Sequence, residues 1–306
     1  MAVIAAVSQY GTVGGIYMRG VAKLHRKMKR SKLAGNIETA ILYLILIAVS
    51  ILFVIPFLWL LFGSFKEGSE LFRAPFRWLP DRIQFDNYKQ MFTAIPFLKY
   101  LKNTLIIVFF NIVGSTVSSS FVAYGFARLH WPLRNKIFMI VLATMVLPFQ
   151  VTMIPLFIMY TNWGWIGTFL PLTVTCFFGN PFFIFLFRQF FVGLPKELTY
   201  AARVDGANEF RIYSTIIMPL AKPCITTVAI FAFMRTWNDF IGPLVFLADD
   251  DLYTLSLAAQ LLRSNLDPRW HILLALGVVM VMPVLIVFFL MQKYFIQGVA
   301  MSGIKE

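Results

Sequence analysis

Two ionisable residues stand where charge is costly. Arg235 and Asp239 lie within Pro223–Ala248, a stretch otherwise free of charged side chains. A charge at the bilayer centre costs about 2.5–3.5 kcal/mol on insertion scales, so such residues are paired or functional by default. Their spacing of four puts them on one helical face, where they can pair. A structural ion pair facing a partner and a lining for a polar solute's route both fit. Trp237, Asn238, Gln150 and Asn180 offer the ring faces and amides that a polyhydroxy solute uses. The same groups also join helices in lipid.

Other chemistry is missing from the sequence. A phosphate-cradling loop needs G-x-x-x-x-G-K-[ST]. Gly63 to Gly68 has the first spacing but continues Ser-Glu. G-x-G-x-x-G and H-E-x-x-H do not occur, and His25, His130 and His271 are isolated. Cys176 and Cys224 lack metal spacing and read as small apolar fillers. The expectation is a chain without catalytic, cofactor or metal site. If nucleotide hydrolysis drives it, another chain binds the nucleotide.

The most structured connector runs from Leu194 to Leu220. Pro195 suits a first helical position and Glu197 the positive helix start. Gly206 suits a left-handed residue after the helix, and Asn208 can cap the next. Phe210, Tyr213 and Ile217 follow helical spacing, and Pro219 ends it. The pattern predicts a helical hairpin, with a helix lying on lipid as the plainer alternative.

The elements that hold these residues are membrane spans. Hydrophobic residues make up 59% of the 306 and charged ones 13%, against roughly 25% in a soluble domain. Uncharged runs of about 20 residues mark spans. They predict six: Thr39–Phe65, Asn103–Ala127, two within Ile137–Phe187 broken at Thr161–Gly167, Pro223–Ala248 and Ile272–Gln292. The net charge of +13 sits at span ends, which suits topogenic charge and anionic lipid and argues against nucleic acid. Seventeen Lys and Arg fall on the N-terminal side of the membrane and nine on the other, so both termini and the 194–220 connector are expected inside. The expected divisions are a basic tail 1–36, a six-helix domain 37–300 with the connector at 191–222, and a tail 301–306. Gly114, Ser115, Ser118, Ser119, Ala123 and Ala127 form a small-residue stripe on the second span, for packing within the chain or against a partner.

The connector resembles the EAA motif of permease subunits from bacterial ABC importers, E-A-A-x-x-D-G-A followed by I-x-x-P. Ala201, Ala202, Asp205, Gly206, Ala207, Ile216 and Pro219 match; Tyr200 stands at the Glu position. Asn87-Tyr88, Asn103-Thr104, Ala123–Leu129, Trp237–Phe240, Pro243-Leu244 and Gln292–Gly298 are similar to the carbohydrate-uptake, maltose-type branch. The resemblance covers nearly all of residues 37–306. It implies an all-α type I importer fold and a multi-pass bacterial cell-membrane protein. The implied partners are a second homologous permease, two ATPase subunits carrying ATP and Mg, and an extracytoplasmic sugar-binding protein. ATPase coupling would fall to Glu197, Ala201, Ala202, Asp205, Gly206, Ala207 and Phe210. Residues 1–27 read as an upstream extension without a transport role. The rival class is a six-helix half of an ion-coupled secondary transporter, for which Asp239 beside Arg235 is a poor ion site.

Overall fold

A computed structural model describes residues 32–264 and 269–303, and the side chains of 39–264 and 269–292. The expectation for residues 1–27 lies outside the described residues. All regular structure among the described residues is helical. Residues up to Trp59 form one compact unit and those from Leu60 a second. The first described helix, α1 (Lys32–Ser64), is apolar on every side from Ala40 to Phe62, with mean hydropathy 3.0 in an 18-residue window of Thr39–Ser64, as a lipid-facing span requires.

In the second unit follow α2 (Asp86–Ala94), α3 (Phe97–Arg128), α4 (Arg134–Ala143), α5 (Phe149–Asn162), α6 (Leu170–Thr173) and α7 (Pro181–Gly193). Next come α8 (Glu197–Val204), α9 (Glu209–Ile212), a π-turn at Tyr213–Ile217 and α10 (Met218–Leu220). The chain closes with α11 (Lys222–Trp237), α12 (Ile241–Phe246), α13 (Leu255–Ser264) and α14 (Trp270–Gly303). Among the described residues, Thr39–Ser64, Phe97–Arg128, Leu170–Gly193 and Trp270–Gln292 are each long and apolar enough to cross a membrane. Counting each bent helix pair as one span gives six.

The bends fall where side chains interrupt the helix ladder. The expected third span is two helices meeting at 95°. Pro148, extended at ψ 145°, has no N–H to continue the helix. The expected fifth span stops at Trp237 instead of running to Ala248. Asn238 Nδ2 donates to Met234 O at 2.7 Å, and Asp239 Oδ1 accepts from Gly242 N at 3.1 Å. Short amide and carboxylate side chains thus compete with helical bonding and end the run. On its other side α11 meets the Glu209–Leu220 segment at 79°. The second span starts at Phe97, not Asn103. At 32 residues, about 48 Å, it exceeds the hydrocarbon thickness, so Lys99 and Lys102 can stand beyond the apolar core.

Helix α3 is the central post, packing on α7, α11 and the 3₁₀ turn Thr175–Phe178. Its small-residue stripe faces inward. Ser115, Ser119 and Ala123 are buried within this chain. Ser118 Oγ donates to Cys176 O at 2.9 Å, and Asn180 N donates to Ser119 Oγ at 3.0 Å. A Cβ on Gly114 would collide with Cys176 Sγ and Phe177, so glycine is what admits the turn. Intrachain packing therefore accounts for the stripe. At the opposite end of α3, Asn103 Nδ2 donates to Asp251 O and Tyr253 O, and Thr104 Oγ1 accepts from Leu255 N. Asn87 Nδ2 likewise holds the carbonyls of Ser64 and Lys66.

Candidate functional site

The 194–220 connector folds as a hairpin. Helix α8 begins at Glu197, with Lys196 as its cap residue, so Pro195 lies just before the helix and not at its first position. Glu197 in the first turn and Arg203 in the last both suit the helix dipole. The helix closes with two reversed bonds, Ala207 N to Ala202 O at 2.9 Å and Gly206 N to Arg203 O at 3.0 Å. This is a Schellman closure with Gly206 at φ 80°, where a Cβ would be strained. Asn208 Oδ1 then accepts from Arg211 N at 2.8 Å and caps α9. Pro219 stands at the end of the hairpin's second arm. It lies two residues past the π-turn, and the segment ends one residue later, at Leu220.

The hairpin presents one face outward. Ala201, Asp205 and Gly206 are exposed, with Val204 88% and Phe210 67% accessible. Ala202 is buried and Ala207 half-buried against the main core, so both help hold the hairpin in place. Two residues outside the expected set fasten it to α3. Glu209 Oε2 accepts from Tyr124 Oη at 2.6 Å, while its Oε1 pairs with Arg203 Nε at 2.8 Å. That carboxylate keeps the Arg203 guanidinium more firmly protonated than usual. Arg128, buried at the end of α3, donates to Leu194 O at 2.9 Å and Pro195 O at 3.4 Å. The Ala123–Leu129 match held the signal for Tyr124 and Arg128; which loop atoms they hold requires the fold.

A cavity of about 420 Å³ lies among α3, α5, α6, α11 and α12. Arg235 and Asp239 both line it, with Asn111, Tyr160, Phe149 and Phe246. They form no ion pair within 4.0 Å among the described residues, which corrects the expected pairing. The cause is the helix end at Trp237: Asp239 lies past it, and its carboxylate turns back to Gly242 N. The other candidates lie elsewhere. Trp237 is 2% exposed, and its Nε1 donates to Met280 O at 3.1 Å. Asn180 caps α7 through Phe182 N and Phe183 N. Asn238 closes α11, and Gln150 is exposed in the first turn of α5.

Residues 115–301 match the family described as binding-protein-dependent transport system inner membrane component. The chain belongs to this family. The permease is 34% identical over 271 residues to the arabinooligosaccharides transport system permease protein AraQ of Bacillus subtilis, covering 86% of this chain and 95% of that one. It is also 34% identical over 257 residues to the diacetylchitobiose uptake system permease protein NgcG of Streptomyces coelicolor, covering 83% and 85%. A crystal structure of a bacterial ABC transporter involved in the import of the acidic polysaccharide alginate superposes with TM-score 0.76 at 23% identity, over 87% of this chain and 98% of that one. The permease fold is thereby established. The family also replaces the ion-coupled rival: this is a multi-pass inner-membrane transport subunit, not an enzyme.

Proposed function

We propose that this permease forms half of the path for a carbohydrate in an ATP-driven importer. A second homologous permease completes the path, and an extracytoplasmic sugar-binding protein delivers the solute. ATP and Mg are bound by two ATPase subunits, one docked on the 194–220 hairpin. Both termini then lie in the cytoplasm. The observation that carries the reading is the hairpin itself. A Schellman turn, a capped second helix and a carboxylate tie to α3 fix a short rod whose exposed Val204 and Phe210 are suited to a protein socket. Carbohydrate as solute is supported by the printed names of AraQ and NgcG. The cavity adds support: Tyr160, Phe149 and Phe246 offer ring faces while Arg235, Asp239 and Asn111 offer polar groups, a mixture that suits sugar rings.

The test is a cysteine at the most exposed hairpin position. In the assembled transporter, Val204→Cys should crosslink to the ATPase and not to the external binding protein. A transporting complex with no ATPase crosslink at Val204 or Phe210 would remove the coupling assignment.

A further inference from the structure

A second cavity, of about 180 Å³, lies where α3 and α7 end and α4 and α8 begin. Its lining carries five cationic side chains, Arg128, Arg134, Arg188, Lys196 and Arg203, together with His130, and no carboxylate. Of these cationic side chains, only Arg203 forms an ion pair among the described residues, with Glu209. Arg128 and Arg134 donate to backbone carbonyls, and Glu197 acts on Arg128 through space without forming an ion pair, so the cluster stays net positive. Arg188 forms no hydrogen bond or ion pair among the described residues and lies over the Phe138 ring at 4.1 Å. The Nε groups of Arg128 and Arg188 are buried without a partner. Like charges gathered around a cavity, with buried donors unfilled, are costly unless an anion joins them.

The position of this cavity identifies the anion. Arg128 and Gly193 end two membrane spans, so the cavity stands at the membrane–water boundary, at the depth of phospholipid phosphates. Val192 in its lining and Leu133 and Ile137 beside Arg134 expose apolar surface. Acyl chains can lie there while a phosphodiester enters the basic cluster. We infer that this pocket binds the headgroup phosphate of an anionic phospholipid, fastening the start of the hairpin to the membrane surface. Arg guanidinium groups match phosphate oxygens in charge and fork geometry. Basic pockets between spans take anionic headgroups by the same physics.

The probe is phosphatidylglycerol, counted by native mass spectrometry on the assembled transporter taken from mixed phosphatidylglycerol and phosphatidylcholine nanodiscs. Wild type should retain one phosphatidylglycerol per copy of this chain that Arg134→Gln with Arg188→Gln loses. With each basic residue contributing about fivefold toward an anionic surface, the double change should weaken retention roughly 30-fold. The pair Arg134→Lys with Arg188→Lys should keep most of it. Equal retention in the Gln pair would overturn the inference, as would equal retention of phosphatidylcholine by wild type. Displacement by excess inorganic phosphate would also overturn it, since the site would then take a free anion. Should the Gln pair fail to assemble, the wild-type lipid preference and the phosphate competition still decide. None of these readouts depends on ATPase docking, so failure here leaves the coupling assignment standing.

Discussion

Tyr124 donates its hydroxyl to Glu209 Oε2 at 2.6 Å, joining the long central helix to the hairpin it does not touch in sequence. The ring of Tyr124 also meets Tyr213 edge-on, and Tyr213 Oη lies 2.8 Å from Ser120 Oγ. Glu209 therefore serves two elements at once, because its other oxygen holds Arg203 on α8.

Removing the hydroxyl tests this joint. Tyr124→Phe keeps the ring and should cost about 1.5–3 kcal/mol locally, the range for a hydrogen bond to a charged group. Arg203→Gln should cost less, about 0.2–1 kcal/mol, because that pair is partly open to water. Hydrogen exchange over residues 197–212 in the assembled transporter reads both; faster exchange in the Arg203 variant than in the Tyr124 variant would contradict the ranking.

Gly206 should tolerate few replacements. Gly206→Val places a β-branched residue at φ 80°, a strain of about 1–2 kcal/mol, whereas Gly206→Asn should be milder. No atom crowds the position, so size alone should not matter. Uptake per ATP hydrolysed is the measurement, and Val performing as well as Asn would mean the turn is not a constraint.

Gly114 depends on contact instead of conformation. Gly114→Ala sends a methyl into Cys176 Sγ and the Phe177 ring, an overpacking expected to cost about 1–3 kcal/mol. Adding Cys176→Ala should recover part of the loss. Thermal melting of the detergent-solubilised complex would show the recovery as non-additivity; simple addition would mean the two groups do not meet.

Arg235 and Asp239 share a cavity without an ion pair within 4.0 Å, and Arg235 acts on Asp239 only through space, so Arg235→Gln and Asp239→Asn should couple weakly, by less than a contact pair would. Asp239→Asn retains an oxygen for Gly242 N and should leave assembly intact. Uptake assays on both singles and the double should give free-energy losses that come close to adding. A double variant better than Asp239→Asn would restore the ion pair.

Much of this is legible in the sequence. Gly206 and Asn208 declared their turn and cap because each residue type has one main reason to stand there. The span ends were harder. Charge marks where lipid stops, not where a helix stops, so Phe97–Lys102 was hidden behind Lys99 and Lys102. Asn238 and Asp239 looked like interior residues of a span, whereas their side chains bond the backbone and end it. Glu209 carries no local signal, because its value comes from Tyr124, 85 positions away, a contact that no local pattern announces.

Helix α3 is pinned near both ends by side chains that grip other segments. Asn103 and Thr104 hold the stretch 251–255, and Tyr124 and Arg128 hold the hairpin. Twenty-one residues separate Asn103 from Tyr124, roughly 32 Å of helix. A tilt of about 5° imposed at the hairpin swings the far end by roughly 3 Å at that length. The helix is thus a lever arm, and force applied to the hairpin at one end reaches the 251–255 loop at the other along a helix that itself walls the cavity through Thr104, Ile107 and Asn111.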